Sequence, residues 1–137
     1  MTNTHRPSVS ALIPTFNGRH LLKKFLPSVF KSLRSKDELI IIDDASTDET
    51  IAYLIATYSL RPSKKITFKN NYSTENRTGK LLKNTYKLYT GTSKHSDQTI
   101  DITLVALKKN HRFGKAVNIG ALFANHDYLL VLNNDVQ

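Results

Sequence analysis

The sequence has 137 residues, a length that suits one domain with a substantial core. Its 20 Lys and Arg against 11 Asp and Glu give a net charge of +9, which favours an anionic partner: nucleic acid, an anionic membrane surface or a phosphorylated small molecule. The absence of cysteine excludes a disulfide framework and a cysteine-based metal site. The polar stretch Met1 to Ser8 lacks the apolar core of a signal peptide, and no apolar run approaches the length of a membrane span, so we expect a cytoplasmic protein.

The first forty-odd residues predict a β-α-β unit. Val9 to Ile13 is a short apolar strand that ends at Pro14, and a helix then begins near Asn17 or Gly18. Apolar residues recur along this helix at helical spacing, and Pro27 within them predicts a kink or a break. Leu39 to Ile42 reads as a strand buried on both faces. This order is typical of the right-handed crossover that joins parallel strands.

Two carboxylates, Asp43 and Asp44, follow the second strand directly. The next residues, Ser46 to Glu49, match a capping box and predict the start of a second helix. In open α/β sheets, ligands bind outside the carboxyl ends of the strands. The pair therefore lies where a ligand is expected, although a strand-end turn with a helix cap would also favour aspartate at both positions.

The pattern weakens between residues 63 and 99, which we interpret as an inserted loop or a hairpin, with Gly91 to Gln98 as loop. Order returns with a third strand, Ile100 to Leu107, a basic loop, and a small-residue helix that opens at Gly114. Its glycine and alanine residues, Ala116 and Gly120 among them, are expected to permit close helix–sheet approach. Tyr128 to Leu132 is predicted to be a fourth buried strand. The alternation predicts an α/β fold, Rossmann-like, with a mostly parallel sheet and flanking helices, in one domain spanning residues 1–137.

In a parallel sheet the polar ends of the four strands share one edge. There they bring together an aromatic ring, Phe16, the two carboxylates, the cations Arg112 and Lys115, and a further carboxylate, Asp135. Such groups suit a base and a diphosphate. Each also has a plainer interpretation, since Phe16 alone is more often a core residue and the two cations a solvated loop. The common phosphate-loop and dinucleotide motifs are absent from the sequence.

Four segments in order resemble the family 2 glycosyltransferases of GT-A fold, and most of all their rhamnosyltransferase-like branch, which builds cell-surface and cell-wall polysaccharides. The segments are Ala11 to Asn17, Ile41 to Asp48, Asn110 to Gly120, and Leu132 to Asp135. The resemblance covers Val9 to Val136 apart from about 63–99, which is an expected insertion relative to the family.

The resemblance implies a role for each matching residue. Pro14 and Phe16 would line a nucleobase pocket, Asp43 would accept a hydrogen bond from the base, and Asp44 would lie near the ribose or structure its loop. Arg112 falls where the family often has a basic residue near the nucleotide. Asn133, Asn134 and Asp135 occupy the place of the Asp-x-Asp motif, so Asp135 would bind Mg²⁺ or Mn²⁺, with Asn replacing the first carboxylate of the motif.

The implied activity is an inverting, metal-assisted transfer of sugar from a UDP- or dTDP-sugar to a glycan or a lipid-linked acceptor. The family's catalytic base lies after the Asp-x-Asp motif, so it is expected beyond Gln137, and the chain resembles a donor-binding part truncated after that motif. A peripheral contact with the anionic inner face of a membrane is also expected. The alternatives are a catalytically inactive nucleotide-binding module and, ranked last, a basic nucleic-acid-binding domain, because no nucleic-acid motif accompanies the charge.

Overall fold

A computed structural model describes residues 6–64 and 85–133 of the chain. Their helices and strands are, in chain order, β1 (Val9–Thr15), α1 (Arg19–Ser32), β2 (Glu38–Asp43), α2 (Thr50–Tyr58), β3 (Arg61–Pro62), β4 (Tyr86–His95), β5 (Gln98–Leu107), α3 (Arg112–Ala121) and β6 (Tyr128–Val131). Within this part of the chain the strands form one six-stranded sheet in the order β3-β4-β5-β2-β1-β6. Strands β5, β2, β1 and β6 are parallel to one another, while β4 is antiparallel to both β5 and β3. The predicted α/β fold with a mostly parallel sheet is confirmed.

The central strand β2 is buried on both faces, as its run of aliphatic residues predicts. Leu39 and Ile41 pack into the cluster that holds α1 and α2, whereas Ile40 and Ile42 pack into the cluster that holds α3. All four side chains are fully buried. Burying an aliphatic side chain of this size contributes about 1.5–3 kcal/mol, so β2 stabilises the packing of both helical layers on the sheet.

Helix α3 lies unusually close to the sheet. A Cβ atom on Gly120 would stand 2.5 Å from both Cγ1 and Cδ1 of Ile42, and Ala116 one turn earlier is fully buried. The small residues predicted to allow close helix–sheet approach therefore do so. Helix α1, by contrast, continues through Pro27, so the break that Pro27 predicted is not observed.

The interpretation of Gly91 to Gln98 as loop is wrong. Residues 86–95 form β4, which pairs with the whole of β5 as an antiparallel hairpin and turns at Ser96, whose φ is 54°. Thr90 to Lys94 are small or polar and carry little hydrophobic signal, but their backbone pairs with the buried strand β5. The hairpin alternative is the one observed; residues 65–84 of the weak stretch lie outside the described residues.

Strand β6 is not buried, contrary to the prediction. Tyr128 is 60% exposed and Leu129, Leu130 and Val131 are each 44–45% exposed. Within the described residues β6 pairs with β1 alone and is the last strand of the sheet. An apolar run predicts burial from composition, but the two faces and the outer edge of this strand are uncovered in the part of the chain that the structure describes.

At the amino ends of the strands, Asp37 ties the N-terminal segment to the sheet. Its carboxylate accepts hydrogen bonds from Nη2 of Arg6 at 2.6 Å, the backbone N–H of Val9 at 2.9 Å and the backbone N–H of Arg34 at 2.8 Å. Burial alone would raise the pKa of Asp37, but these bonds and the charge of Arg6 together hold the pKa below its usual value of 3.8. The ionised form of this carboxyl therefore stabilises the fold.

Candidate functional site

The carboxyl ends of the parallel strands are level with one another. Thr15 at the end of β1 stands opposite Asp43 at the end of β2, and Asp43 stands opposite Ala106 of β5. Strand β6 runs in the same direction beside β1, with Val131 opposite Leu12. The expected meeting of strand ends at one edge is therefore observed for the parallel strands β1, β2, β5 and β6.

The Asp43 carboxylate lies fully buried beneath this edge. Its Oδ1 accepts a hydrogen bond from the Ser46 hydroxyl at 2.6 Å, and its Oδ2 accepts one from the Ser46 backbone N–H at 2.9 Å. Burial raises the pKa of Asp43; the two bonds from Ser46 oppose the rise, and the nearby charges of Asp48 and Asp44 add to it. Ser46 is thus what makes a charged Asp43 tolerable at this depth.

The Ser46 hydroxyl also links β2 to the tip of β1. Its oxygen accepts a hydrogen bond from the backbone N–H of Asn17 at 2.8 Å. The Asn17 side chain, which follows β1, makes the return contact to the segment after β2. Its Oδ1 accepts from the backbone N–H groups of Thr47 at 2.8 Å and Asp48 at 3.2 Å. The two strand tips are therefore held together by reciprocal bonds.

This use of Ser46 shows that the predicted capping box is wrong. Helix α2 begins at Thr50, and no side-chain bond from Glu49 caps it. Asp48 instead accepts from the backbone N–H and the hydroxyl of Thr50, while Glu49 pairs with Arg19 at 2.7 Å. The Ser46 oxygen, which would accept from the Glu49 N–H in a capping box, accepts from the Asn17 N–H instead, and its proton is donated to the buried Asp43 carboxylate.

Asp44 orders the loop that precedes α3. It is 5% exposed, and its Oδ1 accepts from the backbone N–H of His111 at 2.6 Å. Its backbone oxygen accepts from Nδ2 of Asn110 at 3.1 Å, and its N–H donates to the oxygen of Thr15 at 2.8 Å. Asp44 therefore joins three of the strand ends that form the edge.

The backbone of the same edge contains three non-glycine residues in the left-handed region. Their φ values are 49° for Asn17, 63° for Ala45 and 66° for Arg112. The Arg112 conformation is held by its N–H, which donates to Oδ1 of Asn110 at 3.0 Å. Unfavourable backbone geometry of this kind persists where surrounding contacts fix it, and such positions cluster at binding sites.

A cavity of about 210 Å³ opens at the centre of the edge. It is lined by Pro14, Thr15, Phe16, Asp44, Phe113 and Asn133. Phe16 and Phe113 are large apolar residues, yet they are 51% and 53% exposed. The cavity thus presents aromatic surface, a carboxylate and an amide side by side.

The structure brings together four of the predicted site residues, Pro14, Phe16, Asp44 and Asn133. Asp43 lies buried behind them, bound to Ser46, and Arg112 begins α3 with an exposed side chain. Asn134 and Asp135 lie outside the described residues. The sequence reasoning missed Phe113, whose signal was its place next to Arg112 in the third motif.

The cavity contains part of the donor set of a divalent metal. The described residues contain no group of three or more His, Asp or Glu side chains that could hold an ion. The cavity does offer the carboxylate of Asp44 and the amide of Asn133, which are hard oxygen donors. Mg²⁺ is often bound through one or two carboxylates, with water and substrate phosphates completing its shell, so these residues fit such an ion.

Known proteins share this architecture. A family model described as glycosyl transferase family 2 matches residues 10–77. The mannosyltransferase PcManGT from Pyrobaculum calidifontis, solved in complex with GDP-Man and Mn²⁺, is 21% identical with a TM-score of 0.60; the match covers 96% of this chain and 28% of that protein. S. aureus TarS 1-349 in complex with UDP is 18% identical with a TM-score of 0.57, covering 93% of this chain and 27% of that one. The search of curated proteins gives no match.

The sheet order and the cavity at its carboxyl edge define a nucleotide-sugar transferase fold of the GT-A type. The family match adds that residues 10–77, just under half of the chain, are similar to glycosyl transferase family 2. It spans less than a third of the length of either solved structure. None of the helices that the structure describes is both long and apolar enough to cross a membrane.

Proposed function

We propose that this chain binds the nucleotide-diphosphate sugar for a glycosyltransferase that acts on a glycan or a lipid-linked acceptor in cell-wall polysaccharide synthesis. The observation that carries the proposal is the cavity at the carboxyl edge. Phe16 follows β1 directly, Asp44 follows β2 directly, and Asn133 lies in the segment after β6. The complexes of two structural relatives with GDP-Man and with UDP support a nucleotide at this fold.

The proposed roles follow from what each side chain offers. Phe16 is half exposed and lines the cavity, so its ring is the proposed platform for the base, with Pro14 beside it. Asp44 has one oxygen bound to His111, and the other is proposed to accept from the ribose. Both oxygens of Asp43 accept from Ser46, but each has a second lone pair with which Asp43 is proposed to hold the base N–H. Arg112, exposed at the start of α3, is proposed to approach the phosphates.

The proposed donor is a UDP- or dTDP-sugar, since a pyrimidine is small enough for a cavity of about 210 Å³ and its N–H suits a carboxylate acceptor. Mg²⁺ or Mn²⁺ is proposed to be held by Asp135 with Asn133, Asn134 and Asp44 near it. When bound, the ion neutralises charge that develops on the leaving diphosphate. The Mn²⁺ in the mannosyltransferase complex supports a divalent ion at this fold.

The proposed reaction is a single inverting displacement. The acceptor hydroxyl attacks the anomeric carbon as the bond to the nucleoside diphosphate breaks, and the hydroxyl proton passes to a general base. No residue of this chain is assigned as that base. The role proposed for this chain is to bind and orient the donor. Its carboxylates and aromatic residues act in that step.

Calorimetric titration with UDP and dTDP, each with and without Mn²⁺, tests the proposal. We expect binding by the unaltered chain and a weakening of roughly 5- to 150-fold in Phe16→Ala, the range for loss of one base–aromatic stack. Tyr128→Ala is the matched control, because Tyr128 is also an exposed aromatic but lies at the amino end of β6. The absence of binding under every condition would refute a donor site, and binding without sugar transfer or hydrolysis would favour the inactive nucleotide-binding module.

We also propose that the chain contacts the anionic inner face of a membrane through α1. The exposed side of this helix includes Lys23, Lys24 and Lys31 and has no acidic residue. None of the three lysines forms an ion pair within the part of the chain that the structure describes. Each lysine near an anionic surface contributes about 1 kcal/mol of attraction.

Co-sedimentation with vesicles of phosphatidylglycerol and phosphatidylcholine tests this contact. Replacing Lys23, Lys24 and Lys31 by Gln should release the chain, whereas the matched replacement of Lys64, Lys87 and Lys94, which are exposed near the other edge of the sheet, should release it far less. Equal release by both triple variants would show that net charge acts without a defined face. Salt-sensitive binding to duplex DNA that UDP does not displace would instead favour the nucleic-acid alternative.

A further inference from the structure

Phe113 has no role in the preceding account, although it is one of the most exposed large apolar residues that the structure describes. It lies in the first turn of α3 with 53% of its surface exposed, and it lines the cavity together with Phe16. Exposing so much of a phenylalanine forgoes part of the stabilisation that burial of its ring would provide. A second aromatic ring at a cavity that already has one requires an explanation.

The position of Phe113 is fixed by its backbone and not by burial of its ring. On its N-terminal side, Asp44 holds the N–H of His111 and Asn110 holds the N–H of Arg112. On its C-terminal side, the close approach of Gly120 to Ile42 sets the distance of α3 from the sheet. The ring is therefore presented to the cavity from a helix that is anchored at both ends, which lowers the entropy lost when a ligand stacks on it.

We propose that Phe113 is a second aromatic platform for the nucleobase, which binds between it and Phe16. Phe16 comes from the end of β1 and Phe113 from the start of α3, so the two rings reach the cavity from different elements. Planar bases stack on aromatic side chains whatever their hydrogen-bonding edge, so the pair supplies affinity while the neighbouring carboxylates select the base. This inference rests on the proposed nucleotide-sugar function and assigns a further base-binding residue within it.

Titration of UDP and dTDP against three variants tests the inference. Phe113→Leu keeps an apolar side chain but removes the ring, so the Kd should rise by roughly 5-fold or more. Phe113→Tyr keeps the ring and should bind within about 2-fold of the unaltered chain, because the added hydroxyl points to solvent at an exposed position. Tyr128→Leu, which removes an exposed ring elsewhere, should leave the Kd unchanged.

A second measurement separates stacking from a structural effect. Stacking lowers the absorbance of the base near 260 nm, so the difference spectrum on binding should weaken in Phe113→Leu and persist in Phe113→Tyr. The thermal midpoints of both variants should match that of the unaltered chain, because the ring is exposed. Equal affinity of Phe113→Leu and the unaltered chain would overturn the role of Phe113 while leaving the donor site intact. Failure of the unaltered chain to bind any nucleotide would overturn both.

Discussion

Ser46→Ala is the change that tests most directly how the two strand tips are held together. The Ser46 hydroxyl donates to the buried Asp43 carboxylate at 2.6 Å and accepts from the Asn17 N–H at 2.8 Å. A bond to a charged group is worth about 1.5–3 kcal/mol and a neutral one about 0.5–1.5 kcal/mol. We therefore expect the free energy of unfolding to fall by roughly 2–4 kcal/mol at pH 7.

The matched control is Thr47→Ala, one residue along the same loop. The Thr47 hydroxyl accepts from Nδ2 of Asn17 at 3.3 Å on the protein surface, so its removal should change the free energy of unfolding by less than about 0.5 kcal/mol. Both values follow from urea denaturation monitored by far-ultraviolet circular dichroism, a suitable probe because the chain has no tryptophan.

The effect of Ser46→Ala on the free energy of unfolding should depend on pH. Loss of the Ser46 hydroxyl removes a bond that lowers the pKa of Asp43, so the pKa should rise further above its usual value. The folded variant then takes up a proton at a higher pH than the folded unaltered chain does, and gains stability relative to it as the pH falls. The difference in free energy of unfolding between the unaltered chain and Ser46→Ala should therefore be smaller at about pH 5 than at pH 7. If Ser46→Ala lowered the free energy of unfolding by less than about 1 kcal/mol at pH 7, or by no more than Thr47→Ala does, the linking role of Ser46 would be refuted.

Three further predictions concern the supports of the site. Gly120→Ala places a Cβ 2.5 Å from two carbons of Ile42. Overpacking should lower the free energy of unfolding by about 1–3 kcal/mol, and the higher helix propensity of alanine should offset about 1 kcal/mol of that loss. Thermal denaturation measures the net change. In an Ile42→Ala background, Gly120→Ala should stabilise the protein. A lower free energy of unfolding in that background would contradict the steric explanation. Ala45→Gly relieves a φ of 63° and should raise the stability in urea by up to about 1 kcal/mol, unlike a matched Ala52→Gly in the middle of α2, which should lower it. Asp37→Asn should lower the free energy of unfolding by roughly 3 kcal/mol at pH 7. The stability that Asp37 provides is present above its usual pKa of 3.8 and should be lost as the pH falls through the lowered pKa of the folded state. A difference between the two proteins that does not change with pH would refute this role of Asp37.

The sequence predicted the parts of the fold that depend on local hydrophobic pattern. The run Leu39 to Ile42 predicted a strand buried on both faces, and Gly120 with Ala116 predicted a close helix. The strand ends were correctly expected to share one edge, because parallel strands connected by helices leave no other arrangement. Strand β4 was interpreted in part as loop because its pairing with β5 is non-local and leaves little periodicity in its own residues.

The finer features of the site depend on competition that no pattern shows. Ser46 to Glu49 match a capping box, but the Ser46 oxygen accepts from Asn17, its hydroxyl donates to the buried Asp43, and Glu49 pairs with Arg19. The half-exposed ring of Phe113 is recognisable as a site residue only once α3 is seen to begin beside Phe16. Likewise, the apolar run of β6 resembles that of β2, and its exposure became evident from the position of β6 at the end of the sheet.

Because β6 is open within the described residues, the solubility of this part of the chain depends on its charge. Two copies that met along Tyr128 to Val131 would gain main-chain hydrogen bonds and bury four apolar side chains, which is how edge strands promote aggregation. A net charge of +9 on each copy opposes that encounter. The repulsion reaches about 10 Å in 0.1 M salt but about 3 Å in 1 M salt. A preparation that stays dispersed in dilute buffer is therefore expected to self-associate as the ionic strength rises, the reverse of what salt does to most charge-driven complexes.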